Sequence, residues 1–373
     1  MRINTNVMAL NAQNMLNKNQ SSVEKSIRKL SSGLRINSAA DDAAGLAISE
    51  KMRSQIRGLS QAQSNAQDGI SLLQTAEGAL QQTTDILQRM RELVIKAQNT
   101  GVLTEDDRTS INTELSTLRD EIDRIAYSTT FNGKKLLDGS LGTKLETKGI
   151  TAALNVDVAN AEAGTTYTVA VDGNKLKMTW SEDGQTMTAY SDVELKDSKI
   201  SGQVNFVGSG VVIDYGDTAI AGTAAAGTIK TAGTSTRGDF KIGANTYAQD
   251  VLSVGIGDMS STGLNRNGDG TKFSLDISNS DAANNLLNSI DYALDKVSRQ
   301  RSTLGSMQNR MEYAANNLAT TEENLTAAES RIRDVDMAKE MVAYTKNSIL
   351  NESAMAMLAQ ANKQPQSILT LLQ

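Results

Sequence analysis

The chain has 373 residues, with 37 Lys and Arg against 43 Asp and Glu, a net charge of −6 that gives no electrostatic reason to expect nucleic acid or an anionic membrane as partner. It has no Cys and no His, which excludes disulfides, thiolate metal sites, Cys nucleophiles, and the commonest general base and transition-metal ligand. Aromatic residues are only 3%, and the single Pro, Pro365, lies near the C-terminus, so long helices can run unbroken before it.

The opening residues carry no apolar core followed by a small-residue cleavage site, so a cleaved signal peptide is not expected. No stretch approaches the roughly 18 apolar residues needed to cross a bilayer. Val23, Ile27, Leu30 and Leu34 recur at helical spacing, with Leu16 seven residues earlier. From Leu73 a sustained 3-4 rhythm follows: Leu73, Ala76, Leu80, Thr83, Leu87, Met90, Val94, Ala97. That is a coiled-coil seam on one helix, with Gly101 placed to cap it. A second helix carries Ile111, Leu115, Leu118, Ile122 and Ile125, with Glu105, Asp106 and Asp107 at its start, where the helix dipole favours acids.

The middle differs in kind. Residues 150–236 are rich in Gly, Thr, Ala and Asp, and alternation replaces helical spacing. Thr166–Val171, an Asp172-Gly173 turn and Lys175–Trp180 read as a hairpin. Val204–Val207 and Val211–Tyr215 read as further short strands.

The C-terminal third returns to helix. Leu287, Ile290, Leu294, Val297, Arg301, Leu304, Gln308, Met311, Ala315, Leu318, Glu322, Leu325, Glu329 and Ile332 hold the rhythm, with four polar members. At 1.5 Å per residue, 282–333 predicts a rod of roughly 78 Å. Beyond it Met337, Met341, Tyr344, Met355 and Leu358 fit the spacing, interrupted by Ser348 and Asn351. Stripes this narrow bury little area alone, so both ends are expected to be disordered until a partner covers them. The fold class is therefore mainly α, long helices from both ends with a small β-rich insert between them.

Specific segments carry a family likeness. Ile27-Arg-Lys-Leu-Ser-Ser-Gly-Leu-Arg-Ile-Asn-Ser38 and Asp41-Asp-Ala-Ala-Gly-Leu-Ala47 resemble the N-terminal signature of bacterial flagellins. So do Leu87-Gln-Arg-Met-Arg-Glu-Leu93, Phe131-Asn-Gly133, Glu329-Ser-Arg-Ile-Arg-Asp-Val-Asp336 and Ala359-Gln-Ala-Asn362. The likeness covers roughly residues 1–140 and 238–373.

The resemblance implies an antiparallel coiled-coil architecture of three parts. Residues 1–42 with 330–373 would form the terminal coiled coil, D0. Residues 43–149 with 237–329 would form a helical rod with a β-hairpin, D1, and 150–236 a variable β-rich surface domain, D2. It implies a non-enzymatic subunit of the flagellar filament, extracellular and secreted by the flagellar type III route. A hook–filament junction protein, which shares helical ends, is the alternative. Implied partners are further copies of the chain, the flagellar cap and junction proteins, an export chaperone at the C-terminal helix, and Toll-like receptor 5. The polymerisation residues would be Val23, Ile27, Leu30, Leu34, Met337, Met341, Tyr344, Met355 and Leu358. The segment matching the receptor-recognised one gives Gln88, Arg89, Glu92 and Leu93, with Glu114 on the neighbouring helix. Off the seam set by Leu87 and Met90, Arg89 and an exposed Leu93 read as an anchor. The plainer reading of Arg89 and Glu92 is a helix-surface ion pair at i,i+3.

Other motifs read as ordinary structure. Asn265-Arg-Asn-Gly-Asp-Gly270 lacks the Asp and Glu that begin and end a calcium loop, and reads as a Gly-rich turn. A zinc protease needs a His-Glu-x-x-His motif, which a chain without His cannot form. Glycosylation-like triplets at Asn19, Asn324 and Asn351 fall on packing helices and read as chance. No cofactor, metal or catalytic residue is expected.

Overall fold

The computed structural model describes residues 6–371, except 100–102, 151–152, 154, 183–184, 196–198, 201–202, 207–208, 217–219, 222–224, 233–236, 246 and 267–270. Five helices carry the two ends: α1 (Val7–Ser32), α2 (Ala43–Ala97), α3 (Glu105–Ser128), α4 (Ser280–Arg333) and α5 (Met337–Leu371). Between α3 and α4 run the short strands β1 (Thr130–Phe131), β2 (Lys134–Lys135), β3 (Leu145–Lys148), β4 (Asn155–Asp157) and β5 (Thr166–Asp172). They continue as β6 (Lys175–Glu182), β7 (Gln185–Glu194), β8 (Lys199–Ile200), β9 (Gln203–Phe206), β10 (Val211–Asp214), β11 (Ile220–Ala221), β12 (Gly227–Thr231), β13 (Gly238–Lys241) and β14 (Val251–Val254). Helical ends therefore flank a β-rich middle, as expected.

The chain divides into two compact units, residues 1–61 with 317–373 and residues 62–316. In the first, α1 and α5 lie antiparallel. Asn6 Nδ2 donates to Ala361 O at 2.9 Å, Asn19 Nδ2 to Leu350 O at 3.2 Å, and Val335 N to Gly33 O at 3.0 Å. Leu34 and Asp334 form an antiparallel bridge. These partners drift by no more than one residue from a single register over the whole pair.

The termini thus differ from the disorder expected of them, because each end is the other's partner. The face that meets the partner also differs. On α1 the shielded positions include Ala9, Ala12, Leu16, Asn19, Val23, Ser26 and Leu30. On α5 they include Ala343, Asn347, Asn351, Ala354, Leu358 and Ala361. Small side chains let two backbones approach closely, and the amides of Asn6 and Asn19 donate to carbonyls of α5. Met337, Met341 and Met355, placed on the seam by spacing alone, sit off it and are about half exposed, between 48% and 50%.

Local signals fix the ends of these helices. Asn6 Oδ1 accepts from Ala9 N at the start of α1, and Gly33, at φ 72°, closes it by donating its N–H to Lys29 O. The turn into α2 is held by Asp41, whose carboxylate accepts from Asn37 N, Ser38 N and Ser38 Oγ. The backbone bond from Ser38, with that from Asn37, lowers its pKa.

The second unit has two apolar cores. One is helical: the α2 seam from Leu73 to Ala97 is buried throughout, Thr83 included, whose hydroxyl donates back to Ala79 O. It packs with Ile111, Leu115, Ile122 and Ile125 of α3 and Ile290, Val297, Leu304 and Met311 of α4. The capping residue expected at Gly101 lies outside the described residues. The β1–β2 hairpin turns on Asn132 and Gly133, both at positive φ (49° and 76°), the pairing that a type I′ turn demands.

The other core lies under an eight-stranded antiparallel sheet, ordered β3-β12-β5-β6-β7-β9-β10-β4. Inward Tyr167, Val169, Met178, Trp180, Phe206 and Ile229 alternate with outward polar residues. The expected hairpin forms, but Asp172 pairs with Lys175, so the loop is Gly173-Asn174 and only Gly173 takes positive φ. The sheet also begins earlier than residue 150: β3 pairs with β12 and forms one edge. Residues 265–270 are described only in part. There Asn265 Nδ2 donates to Thr271 O at 3.0 Å, closing a local turn.

Polar contacts join the two cores. Lys296, on α4, donates to Gly263 O at 3.0 Å and lies 3.4 Å from Asp157 Oδ2. Asn155 Nδ2 donates to Tyr292 Oη at 3.0 Å, and Arg266 Nε to Asp214 Oδ2 at 3.3 Å. Burial alone would raise the Asp157 carboxyl, but the Lys296 ammonium and the Ala159 N–H hold it below its ordinary value. A carboxylate depressed in this way contributes stability above its unfolded pKa and loses it as pH falls through the folded one.

Asp157→Asn leaves a largely buried ammonium with a carbonyl and no counter-charge. It should cost about 1–3 kcal/mol at neutral pH and flatten the loss of stability below about pH 4. Urea unfolding at several pH values, followed by Trp180 fluorescence, measures both. Gly210 sits at φ 69°, and a Cβ there would come within 2.4 Å of Asn160 O. Gly210→Ala should therefore destabilise the sheet core by more than about 1 kcal/mol, read by the same Trp180 signal.

Candidate functional site

Two surfaces gather the residues singled out by sequence. The first lies between α2 and α3. Leu87, Met90, Leu93 and Val94 turn inward on α2, which leaves Arg89, Glu92 and Lys96 along its outer edge. Thr104 and Asp107 form a reciprocal capping box that fixes the start of α3. Asp107 Oδ2 accepts from Thr104 N at 3.0 Å, and Thr104 Oγ1 accepts from Asp107 N at 3.3 Å. The spacing from Asp107 through Ser110 to Glu114 then lines an α3 edge opposite Arg89.

Arg89 Nη2 donates to Glu114 Oε1 at 2.9 Å and Nε to the same oxygen at 3.1 Å, while Nη1 reaches Glu92 Oε2 at 3.2 Å. These bonds, to Glu114 first and then Glu92, raise the guanidinium pKa. Arg89 is still 52% exposed in its side chain, so solvent screens the pair and it contributes little to stability. Its effect is geometric: the fork is held at one orientation above a surface groove of about 410 Å³.

The structure brings Arg89, Glu92 and Glu114 together, so the i,i+3 pair and the predicted juxtaposition with the neighbouring helix coexist. Gln88 is exposed on the same helix. Leu93 is a correction. It is 3% exposed and belongs to the helical core, forming the floor of the groove rather than an outward anchor. Three turns of α2 inside a helical bundle bury a wider stripe than a two-position seam, and Leu93 falls within it. Lys96, Asp107 and Ser110 also line the groove, and sequence reasoning passed over them. The signal was present: Lys96 follows Glu92 at i+4, on the same face.

The second surface is the α1–α5 pair. Of the predicted polymerisation residues, Val23, Leu30, Leu34, Tyr344 and Leu358 are half-buried, whereas Ile27, Met337, Met341 and Met355 are exposed. They are joined by exposed Val7, Met8, Leu10, Met15, Val342 and Ile349. Met341, Val342, Ile349 and Leu350 border an apolar surface groove of about 530 Å³ on α5. Isolated exposed apolar residues are ordinary; here they run along both members of one helix pair. Among the described residues there is no group of three or more acidic side chains placed to hold a metal ion. Among the described residues, no helix is long and apolar enough to cross a membrane.

Comparison with known proteins gives the family. Residues 3–141 match the bacterial flagellin N-terminal helical region, and residues 287–372 the bacterial flagellin C-terminal helical region. The chain is 44% identical over 384 residues to the flagellin of Clostridium tyrobutyricum, covering 98% of this chain and all of that one. It is 43% identical over 391 residues to the flagellin of Bacillus subtilis strain 168, covering both chains fully. The crystal structure of Bacillus cereus flagellin aligns over 71% of this chain and 94% of that one, at 22% identity and a TM-score of 0.33. The full-length matches are to flagellins, which favours the filament over the hook–filament junction. The chain belongs to the bacterial flagellin family, a structural and non-enzymatic family, and is a subunit of the extracellular flagellar filament.

Proposed function

We propose that the α1–α5 pair is the surface through which copies of the chain stack, corresponding to D0, with D1 and D2 divided at about residues 42–43, 149–150, 236–237 and 329–330. The observation that carries this reading is the row of half-exposed Val, Leu, Ile and Met along both helices. Such a surface gains free energy only when covered, and the occupant a filament subunit meets most often is another copy of itself. Before export, the same apolar α5 groove suits a chaperone. Export itself proceeds by the flagellar type III route, with the cap and junction proteins as contacts at the ends of the filament.

Removing residues 1–40 or 335–373 should abolish filaments while leaving the helical and sheet cores of residues 62–316 folded. Electron microscopy with circular dichroism checks this, and long filaments from either truncation would sink the assignment. In the intact chain, amide exchange along α1 and α5 should be faster in monomer than in filament.

We also propose that the Arg89 face is the site recognised by Toll-like receptor 5. The guanidinium, oriented by Glu92 and Glu114, would be the central contact, with Gln88 beside it and Leu93 supporting from beneath. Arg89→Ala should raise the half-maximal concentration in a reporter-cell titration by at least about tenfold, the usual scale for a lost interface anchor. Intact filament should be a poor agonist. Superimposable curves for wild type and Arg89→Ala would show that recognition lies elsewhere.

A further inference from the structure

The distribution of sulfur in this chain is uneven. There is no Cys, so all sulfur chemistry rests on 14 methionines. Met90, Met178, Met259 and Met311, all in residues 62–316, are at most 1% exposed. Six others, Met8, Met15, Met337, Met341, Met355 and Met357, lie on α1 and α5 and are between 48% and 65% exposed. The cause is the seam itself: Ala and Asn occupy the close face between the two helices and turn the thioethers outward. Met341 borders the apolar groove on α5.

We propose that these six methionines form a redox-modification site, at which peroxide- or hypohalous-class oxidants switch off assembly of the monomer. The inference rests on the reading of α1–α5 as the stacking surface. With hydrogen peroxide, the thioether sulfur attacks one peroxide oxygen and the O–O bond breaks. Sulfur is oxidised by two electrons to the sulfoxide, and the other oxygen leaves as water after proton transfer. An unbranched apolar side chain becomes a polar one with a strong S=O acceptor. Burying that acceptor against an apolar surface without a donor is unfavourable, so each sulfoxide weakens stacking. Methionine sulfoxide reductases reverse the change at the expense of thiols, so the switch can be reset. In the filament the same side chains are covered, so oxidation acts on subunits rather than on finished polymer.

The test uses the full-length monomer and dilute hydrogen peroxide, with oxidation mapped by peptide mass spectrometry. The six α1–α5 methionines should react at least tenfold faster than Met90, Met178, Met259 and Met311. Oxidised monomer should need at least tenfold more protein to form sedimentable filaments. Treatment with reductases for both sulfoxide epimers should restore assembly. A variant with all six changed to Leu is compared with its own untreated sample: whatever its basal assembly, peroxide should leave that assembly unchanged; if it does not fold or assemble, the reductase rescue of wild type decides alone. Normal assembly of monomer shown to carry the six sulfoxides would overturn the proposal, as would loss unrestored by the reductases or peroxide sensitivity of the Leu variant equal to wild type. The truncations lacking residues 1–40 or 335–373 separate the two readings in the same assay. If they polymerise, the stacking assignment fails; if they do not while sulfoxide-bearing monomer does, only the redox switch fails.

Discussion

The helical ends depend on an antiparallel register that each supplies to the other. From Asn6 beside Ala361 to Leu34 beside Asp334, the partners keep step within one residue. A single helix of this composition has too narrow an apolar stripe to be stable alone, since propensity contributes little without packing. Pairing changes that balance at low area because Ala, Ser and Asn stand among Leu16, Val23, Leu30 and Leu358 along the seam. Small residues bring the backbones close enough for dispersion contacts, and the Asn6 and Asn19 side chains reach carbonyls of α5. The consequence is a helix pair that stays folded while most of its large apolar side chains remain available to other molecules. A seam of Leu and Met would have consumed them.

In residues 62–316 the logic differs. Here the helical seam is fully buried, and large residues such as Leu73, Leu80, Leu87 and Met90 fill it. The sheet core is separate and meets α4 through polar contacts: Lys296 with Asp157, and Tyr292 with Asn155. A polar junction has directional requirements that an apolar one lacks. It holds one arrangement of insert on helix, at a desolvation cost that only complete pairing offsets.

What was legible in the sequence follows from this contrast. The α2 seam could be read residue by residue because burial there tracks hydrophobicity. The α5 seam could not, because close approach of backbones decides it, and periodicity among Met337, Met341 and Met355 pointed to the wrong face. Leu93 failed for a related reason: a two-position seam understates what a helix buries between two neighbours. Alternation gave β5 and β6, yet β3 was missed, since Leu145–Lys148 is short and half its character comes from pairing with β12. The Arg89 face was partly visible. Glu92 follows from i,i+3 spacing, whereas the approach of Glu114, 25 residues away, came from family likeness and not from spacing.

One helix can serve both the core and the proposed recognition because the α-helical period separates the two demands. On α2, Leu87, Met90, Leu93 and Val94 face the core, while Arg89, Glu92 and Lys96 share the outer edge. Substituting an outward residue leaves the buried stripe intact, so the outer edge can change without loss of the fold. The reverse does not hold. Leu93 lies beneath the groove, so shrinking it would move the floor on which Arg89 and Glu114 are set, and would weaken the proposed binding through a buried residue. A loss of binding at Leu93 therefore carries no evidence of contact, whereas the same loss at Arg89, exposed and paired only by screened charges, does.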